Sequence, residues 1–100
     1  PKEVLVRMGY ALYVAQEGGK HRDAKPLRGF GGADVLEVVT DHRGDTFRGI
    51  YTVRYRNAVY VLHAFQKKAK KASATPRSEV NLIKRRLQNA ALHAAEQELS

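Results

Sequence analysis

The chain has 100 residues, 43% apolar and 28% charged with eight aromatics, a composition that folds as one globular domain and excludes both a second core and a disordered chain. Zero cysteines exclude a disulfide scaffold and thiolate metal sites, and a reducing, cytoplasmic setting is expected. Eighteen Lys and Arg against ten Asp and Glu give a formal charge of +8, which would steer a polyanion toward the surface.

Residues 1–20 lack a signal peptide's apolar core and small-residue cleavage site, and no apolar run approaches the ~18–20 residues that cross a bilayer, so neither export nor a membrane partner is expected. The chain opens at Pro1 rather than methionine, as a processed, trimmed or partial form of a longer protein would. From Pro1 to Gln16, Val4, Met8, Ala11, Leu12 and Ala15 recur at the spacing of one buried helical stripe. Pro1 suits a first helical turn, and Gly18-Gly19 suits a left-handed helix end. A polar stretch from Lys20 to Lys25 then leads to Pro26 and to Gly29-Phe30-Gly31-Gly32. Those glycines lack the spacing and the lysine of a phosphate-binding loop, and read as turn punctuation.

Three β-rich runs follow: Val35 to Asp41, Thr46 to Tyr55, and Ala58 to Phe65. His42-Arg43-Gly44-Asp45 is a turn signal, and Arg56-Asn57 a short hairpin connection, so a meander is expected. In the second run Arg48, Ile50, Thr52 and Arg54 share one face, and Phe47, Gly49, Tyr51, Val53 and Tyr55 the other. In the third, Val59, Val61, His63 and Phe65 oppose Tyr60, Leu62 and Ala64. Both faces carry apolar residues, so alternation does not say which one packs on helices. Thr75-Pro76 supplies an N-cap and a proline for a first turn. Val80, Ile83, Leu87, Ala90, Ala91 and Ala94 then line a second helix to about Glu98, whose alanine-rich end offers little side chain to bury.

The basic character is local. Residues 1–41 hold six basic and six acidic side chains, whereas residues 42–100 hold twelve basic and four acidic. The densest cluster is Lys67, Lys68, Lys70 and Lys71, with a second at Lys84, Arg85 and Arg86. Repulsion within such clusters makes a phosphate backbone a natural counter-ion, although a lysine-rich surface also serves solubility. None of His21, His42, His63 and His93 forms a ligand pair at metal spacing, and no cofactor motif is present. There is no cysteine nucleophile, no GxSxG elbow and no close acid pair on one strand face.

What remains is a set of cations and aromatics near strand ends: Arg48, Tyr51, His63, Phe65, Lys67 and Lys68. These could bind RNA through phosphate contacts and base stacking, or cleave it without a metal. Cleavage needs a base for the 2′-hydroxyl proton, cations for the phosphorane and an acid for the leaving oxygen. Arginine and lysine suit the second role; His63, Tyr51 or a lysine of lowered pKa suits the others. Each residue also has a structural reading. His63 could be a hydrogen-bonded strand histidine, Phe65 or Tyr51 a core residue, and Arg48 a partner of Glu37 or Asp41 across the sheet.

The strings Asp23-Ala24-Lys25-Pro26-Leu27-Arg28-Gly29-Phe30-Gly31-Gly32, Asp41-His42-Arg43-Gly44-Asp45-Thr46-Phe47-Arg48, and Val61-Leu62-His63-Ala64-Phe65-Gln66-Lys67-Lys68 followed by Ala74-Thr75-Pro76 resemble the phage-derived Gp49-like, HigB-type toxins of the RelE/ParE superfamily. The resemblance covers almost the whole chain. It implies a single RelE-like domain over residues 1–100, an α+β fold with helices packed on a twisted antiparallel sheet. It also implies a type II toxin that cleaves mRNA, often on the ribosome, and is silenced by a HigA-type helix-turn-helix antitoxin, with operator DNA reached only through that antitoxin. By the same resemblance Arg48, Lys67, Lys68 and His63 are the expected catalytic residues. Lys25, Arg28, Arg43, Tyr51, Phe65, Lys70 and Lys71 are expected to bind RNA. Such toxins usually begin with a strand before the first helix, whereas this chain begins at the helix. RelE proper also has lysines on the first meander strand, where this chain has Glu37 and Val39, so that enzyme's acid–base assignment does not carry over. The alternatives from other classes are a ParE-like inhibitor of a protein such as gyrase, a non-catalytic RNA-binding module, and a purely structural partner of the antitoxin.

Overall fold

The computed structural model describes residues 2–32, 34–55, 58–67 and 76–99. Helix α1 (Lys2–Gln16) is followed by strands β1 (Ala24–Pro26), β2 (Val35–His42), β3 (Asp45–Thr52) and β4 (Tyr60–Lys67), and then by helix α2 (Arg77–Leu99). The strands form one antiparallel sheet in the order β1-β2-β3-β4. This is the expected α+β meander, with one strand that the sequence reading treats as a polar connection. Ala24, Lys25 and Pro26 pair with Val38, Glu37 and Leu36. Three residues are too few for a periodicity signal, and a proline on an edge strand need not donate to a ladder.

Each face of the sheet carries a helix. On one side Ala11 and Ala15 of α1 pack with Ala24, Leu36, Val38 and Tyr51; on the other, Ile83 and Ala90 of α2 pack with Leu27, Val35, Ile50 and Leu62. That is why both faces of the second β-run are apolar. Helix α1 lies against the sheet at Gly49, where a Cβ would meet Met8 Sδ at 3.2 Å and, from β2, Val38 Cγ1 at 3.4 Å.

Local chemistry sets the element ends. Gly18 takes a φ of 86°, its N–H donates to Ala15 O at 3.0 Å, and that of Gly19 donates to Val14 O at 2.9 Å. This pair of bonds is the Schellman closure that the glycines foreshadow. At the β2–β3 turn Arg43 and Gly44 have φ values of 51° and 88°, two left-handed residues in succession, which match the twist of the flanking strands. Asp34 clamps the other end of that hairpin. Its carbonyl accepts from Thr52 Oγ1 at 2.8 Å and from Val53 N at 2.9 Å, while its carboxylate accepts from Arg54 Nε at 2.8 Å and Nη2 at 3.3 Å. The Arg54 hydrogen bond holds the Asp34 carboxyl below its ordinary range.

Four sequence expectations shift. Strand β3 ends at Thr52 and β4 begins at Tyr60, inside the Tyr55 and Ala58 at which the two runs are expected to end and begin, and the hairpin connection expected at Arg56-Asn57 lies outside the described residues. A β-bulge where Ile50 pairs with His63 and Tyr51 with Val61 leaves Leu62 as the extra residue. Strict alternation therefore fails in β4, and Tyr60, Leu62 and Phe65 all join the α2 side. Finally, Pro76 O accepts from Val80 N at 3.0 Å, so Pro76 stands at the cap rather than in the first turn, and Thr75 lies outside the described residues. Ala91, placed on the buried stripe by spacing, is exposed.

Candidate functional site

The α2 side of β3 and β4 gathers the central residues of the sequence-predicted site. The register sets Arg48 opposite Phe65 and Ile50 opposite His63, so these side chains share one face. Arg48 is 4% exposed and Glu37 7%. Arg48 Nη1 donates to Glu37 Oε2 at 3.2 Å, reaching diagonally across the sheet because its direct neighbour on β2 is Val39. Lys25 Nζ lies 4.0 Å from the other carboxylate oxygen, with its own side chain two-thirds exposed. A buried carboxylate thus sits between a buried and an exposed cation, as a desolvated charge requires.

His63 is held from α2. Its Nδ1 lies 2.9 Å from Arg86 Nη1, and arginine has donors only, so Nδ1 accepts and Nε2 carries the proton that is donated to Glu79. The ring stacks on Phe65 with centroids 5.2 Å apart and planes at 21°. Arg86 Nη1 also donates to Leu62 O at 2.9 Å, so one guanidinium braces both the bulge and the histidine. Glu79 and Arg86 are the residues that sequence reasoning misses in this site. A signal was present: they stand seven residues apart with Ile83 between them, which places all three on one helix face.

The remaining predicted residues are dispersed. Tyr51 is 1% exposed and packs on the α1 side, so its proposed stacking on RNA is corrected to a core role. Burial raises its hydroxyl pKa above the ordinary value. Phe65 is half-buried. Lys67 closes β4 with its Cα opposite Thr46, at the sheet end that carries the exposed turn residue Arg43. Arg28 is exposed beyond β1, at the opposite end, so it does not join that group. Lys68, Lys70 and Lys71 lie outside the described residues. Among the described residues, no helix is long and apolar enough to cross a membrane.

In chemical terms the face offers a neutral imidazole with a fixed tautomer, a planar ring beside it and several guanidinium and ammonium groups. In this conformation Glu79 occupies His63 Nε2 and Glu37 occupies Arg48 Nη1. A phosphate reaching either group would exchange with a carboxylate. The model of the family described as phage-derived protein Gp49-like matches residues 1–88. No curated protein and no solved structure matches the chain.

Proposed function

We propose, from the premise that this chain belongs to the phage-derived Gp49-like family of RelE/HigB-like toxins, that it is a metal-independent endoribonuclease of a type II toxin–antitoxin system. The observation that carries this reading is the meeting of His63, Phe65 and Arg48 on one sheet face in a chain of that family. In the proposed reaction the 2′-hydroxyl oxygen attacks the adjacent phosphorus as its proton passes to a base. The bond to the 5′-oxygen breaks, that oxygen takes a proton, and a 2′,3′-cyclic phosphate remains. His63 is suited to proton transfer, because one imidazole nitrogen can accept a proton while the other donates one. Arg48, Lys67 and Lys68 would stabilise charge on the phosphorane. Phe65 would stack a base, and Lys25, Arg28, Arg43, Lys70 and Lys71 would hold flanking phosphates.

The substrate in this reading is mRNA, in the setting of the ribosome. The silencing partner is an antitoxin of the HigA type, through which operator DNA would be contacted. The deciding experiment incubates the purified chain with mRNA in EDTA, with and without ribosomes, and maps the 5′ ends of the fragments. Cleavage that survives chelation and is lost in a folded His63→Ala variant is the expected outcome. No cleavage in either setting by a folded chain would overturn the enzymatic reading in favour of a gyrase-type inhibitor or a non-catalytic binder.

A further inference from the structure

An open cleft of about 520 Å³ lies outside the face just described, between α1 and the segment that leads into β1, lined by Arg7, Tyr10, Val14, Lys20, His21 and Arg22. Among the described residues, three cations line it and no carboxylate does. Residues 1–41 carry equal numbers of acidic and basic side chains, and the fold adds Arg7 to Lys20 and Arg22, which are already near neighbours in sequence. The glycine closure after α1 turns the chain back, so that Lys20, His21 and Arg22 come to lie beside Arg7, Tyr10 and Val14.

The cleft also has a planar wall. Tyr10 and Tyr13, 58% and 57% exposed, stack with centroids 6.5 Å apart and planes at 25°. His21 stands edge-on to Tyr10 at 5.6 Å. Asp23 N–H donates to His21 Nδ1 at 3.1 Å, which leaves Nε2 as a hydrogen-bond donor. The Asp23 carboxylate is 3.9 Å from the same Nδ1 and is not part of the lining. Both rings are open to solvent, and Tyr10 is the one that lines the cleft. Beside guanidinium and ammonium groups they present the two contacts that a nucleotide unit requires, a stacking surface and phosphate donors. The volume falls within the range of small-ligand sites.

We infer that this cleft is a second binding site, one that takes a nucleotide unit by stacking its base on Tyr10 and pairing its phosphate with Arg7, Lys20 and Arg22. The unit could belong to single-stranded RNA or to a free nucleotide. The RNA source rests on the function proposed above, whereas the site itself does not.

The test is binding to a 2′-O-methyl oligonucleotide of eight residues, which cannot be cleaved by 2′-oxygen attack, and separately to adenosine monophosphate. Both are followed by chemical-shift changes in the intact 100-residue chain. Saturable shifts at Tyr10, His21 and Arg22 with the oligonucleotide assign the site to a strand; the same shifts with the mononucleotide alone assign it to a free nucleotide. Arg22→Gln and Tyr10→Leu should each weaken binding about tenfold. With the oligonucleotide, Arg22→Gln should also lower the salt slope of log K by about 0.7. Absence of shifts at these residues with both ligands overturns the inference, without need of any variant. A chain that cleaves mRNA yet shows no such shifts would leave the proposed function standing while this inference fails; the opposite result would separate them the other way.

Discussion

Arg48 shows how one residue can have a place in two accounts at once. Its strand position makes it a candidate for phosphate stabilisation, and its Nη1 donates to a carboxylate that is 7% exposed. Removing one member of a buried ion pair strands the other, at about 3–5 kcal/mol, while replacing both with apolar residues is often neutral. Glu37→Ala should therefore lower the urea midpoint strongly, and the double variant Glu37→Leu/Arg48→Met should recover most of it. Equilibrium unfolding of the two variants checks this. Equal losses would show that the pair does not carry the buried charge. The same measurement decides how an inactive Arg48 variant is read, because lost cleavage counts as chemistry only in a chain that remains folded. His63 presents less difficulty. It is partly exposed, and its partners Glu79 and Arg86 come from a helix surface rather than from the core.

At the scale of elements, the sheet is a meander whose two faces are both occupied, and the spacing of α1 from the sheet depends on Gly49. A methyl there would press on the sulfur of Met8, the end of a flexible side chain, at 3.2 Å. Gly49→Ala should be tolerated as Met8 shifts. Gly49→Val adds bulk against Val38 as well and should cost about 1–3 kcal/mol through overpacking. A thermal melt of both variants checks the order, and a Val variant as stable as the parent would show that α1 sits more loosely than its contacts indicate. Helix α2 is tied at several points. Ile83 and Ala90 are buried beneath it, Arg86 and Glu79 hold His63, and near its far end His93 Nδ1 meets Tyr60 OH at 2.7 Å. That last contact anchors the alanine-rich half, which the sequence alone gives little reason to dock.

For the molecule as a whole, charge is the property that reaches furthest. A net +8 raises the local concentration of any polyanion, and the effect falls as salt shortens the range of the field. If an antitoxin of the proposed kind silences the chain by covering it with acidic groups, the affinity of that complex should fall as salt rises from about 50 to 500 mM. Titration calorimetry or surface binding across that range measures it. Affinity that is independent of salt would point instead to an apolar interface, for which Leu92 on α2, 65% exposed, offers a starting place.

The sequence by itself determined both helices, the three long strands and the glycine-marked turns, because those depend on interactions within a few residues, whereas β1 and the exact ends of β3, β4 and α2 did not follow from it. The α1 stripe, the glycine closure at Gly18, the left-handed turn at Arg43-Gly44 and the antiparallel order are all local consequences of side-chain spacing and backbone permissiveness. Family membership over residues 1–88 was legible in the same way, through strings that survive as text. Only the tertiary structure decided what faces what. The bulge at Leu62 shifts the alternation of β4, a change that no period-2 pattern can express. The side of the sheet taken by each helix decides that Tyr51 is buried and that His63 meets Glu79 and Arg86. The cleft at Tyr10 and Arg22 joins residues from both sides of a helix end, in a stretch, residues 1–41, whose charges sum to zero. Contacts of that kind depend on how helices and strands are arranged in space, and linear spacing along the chain carries no record of it.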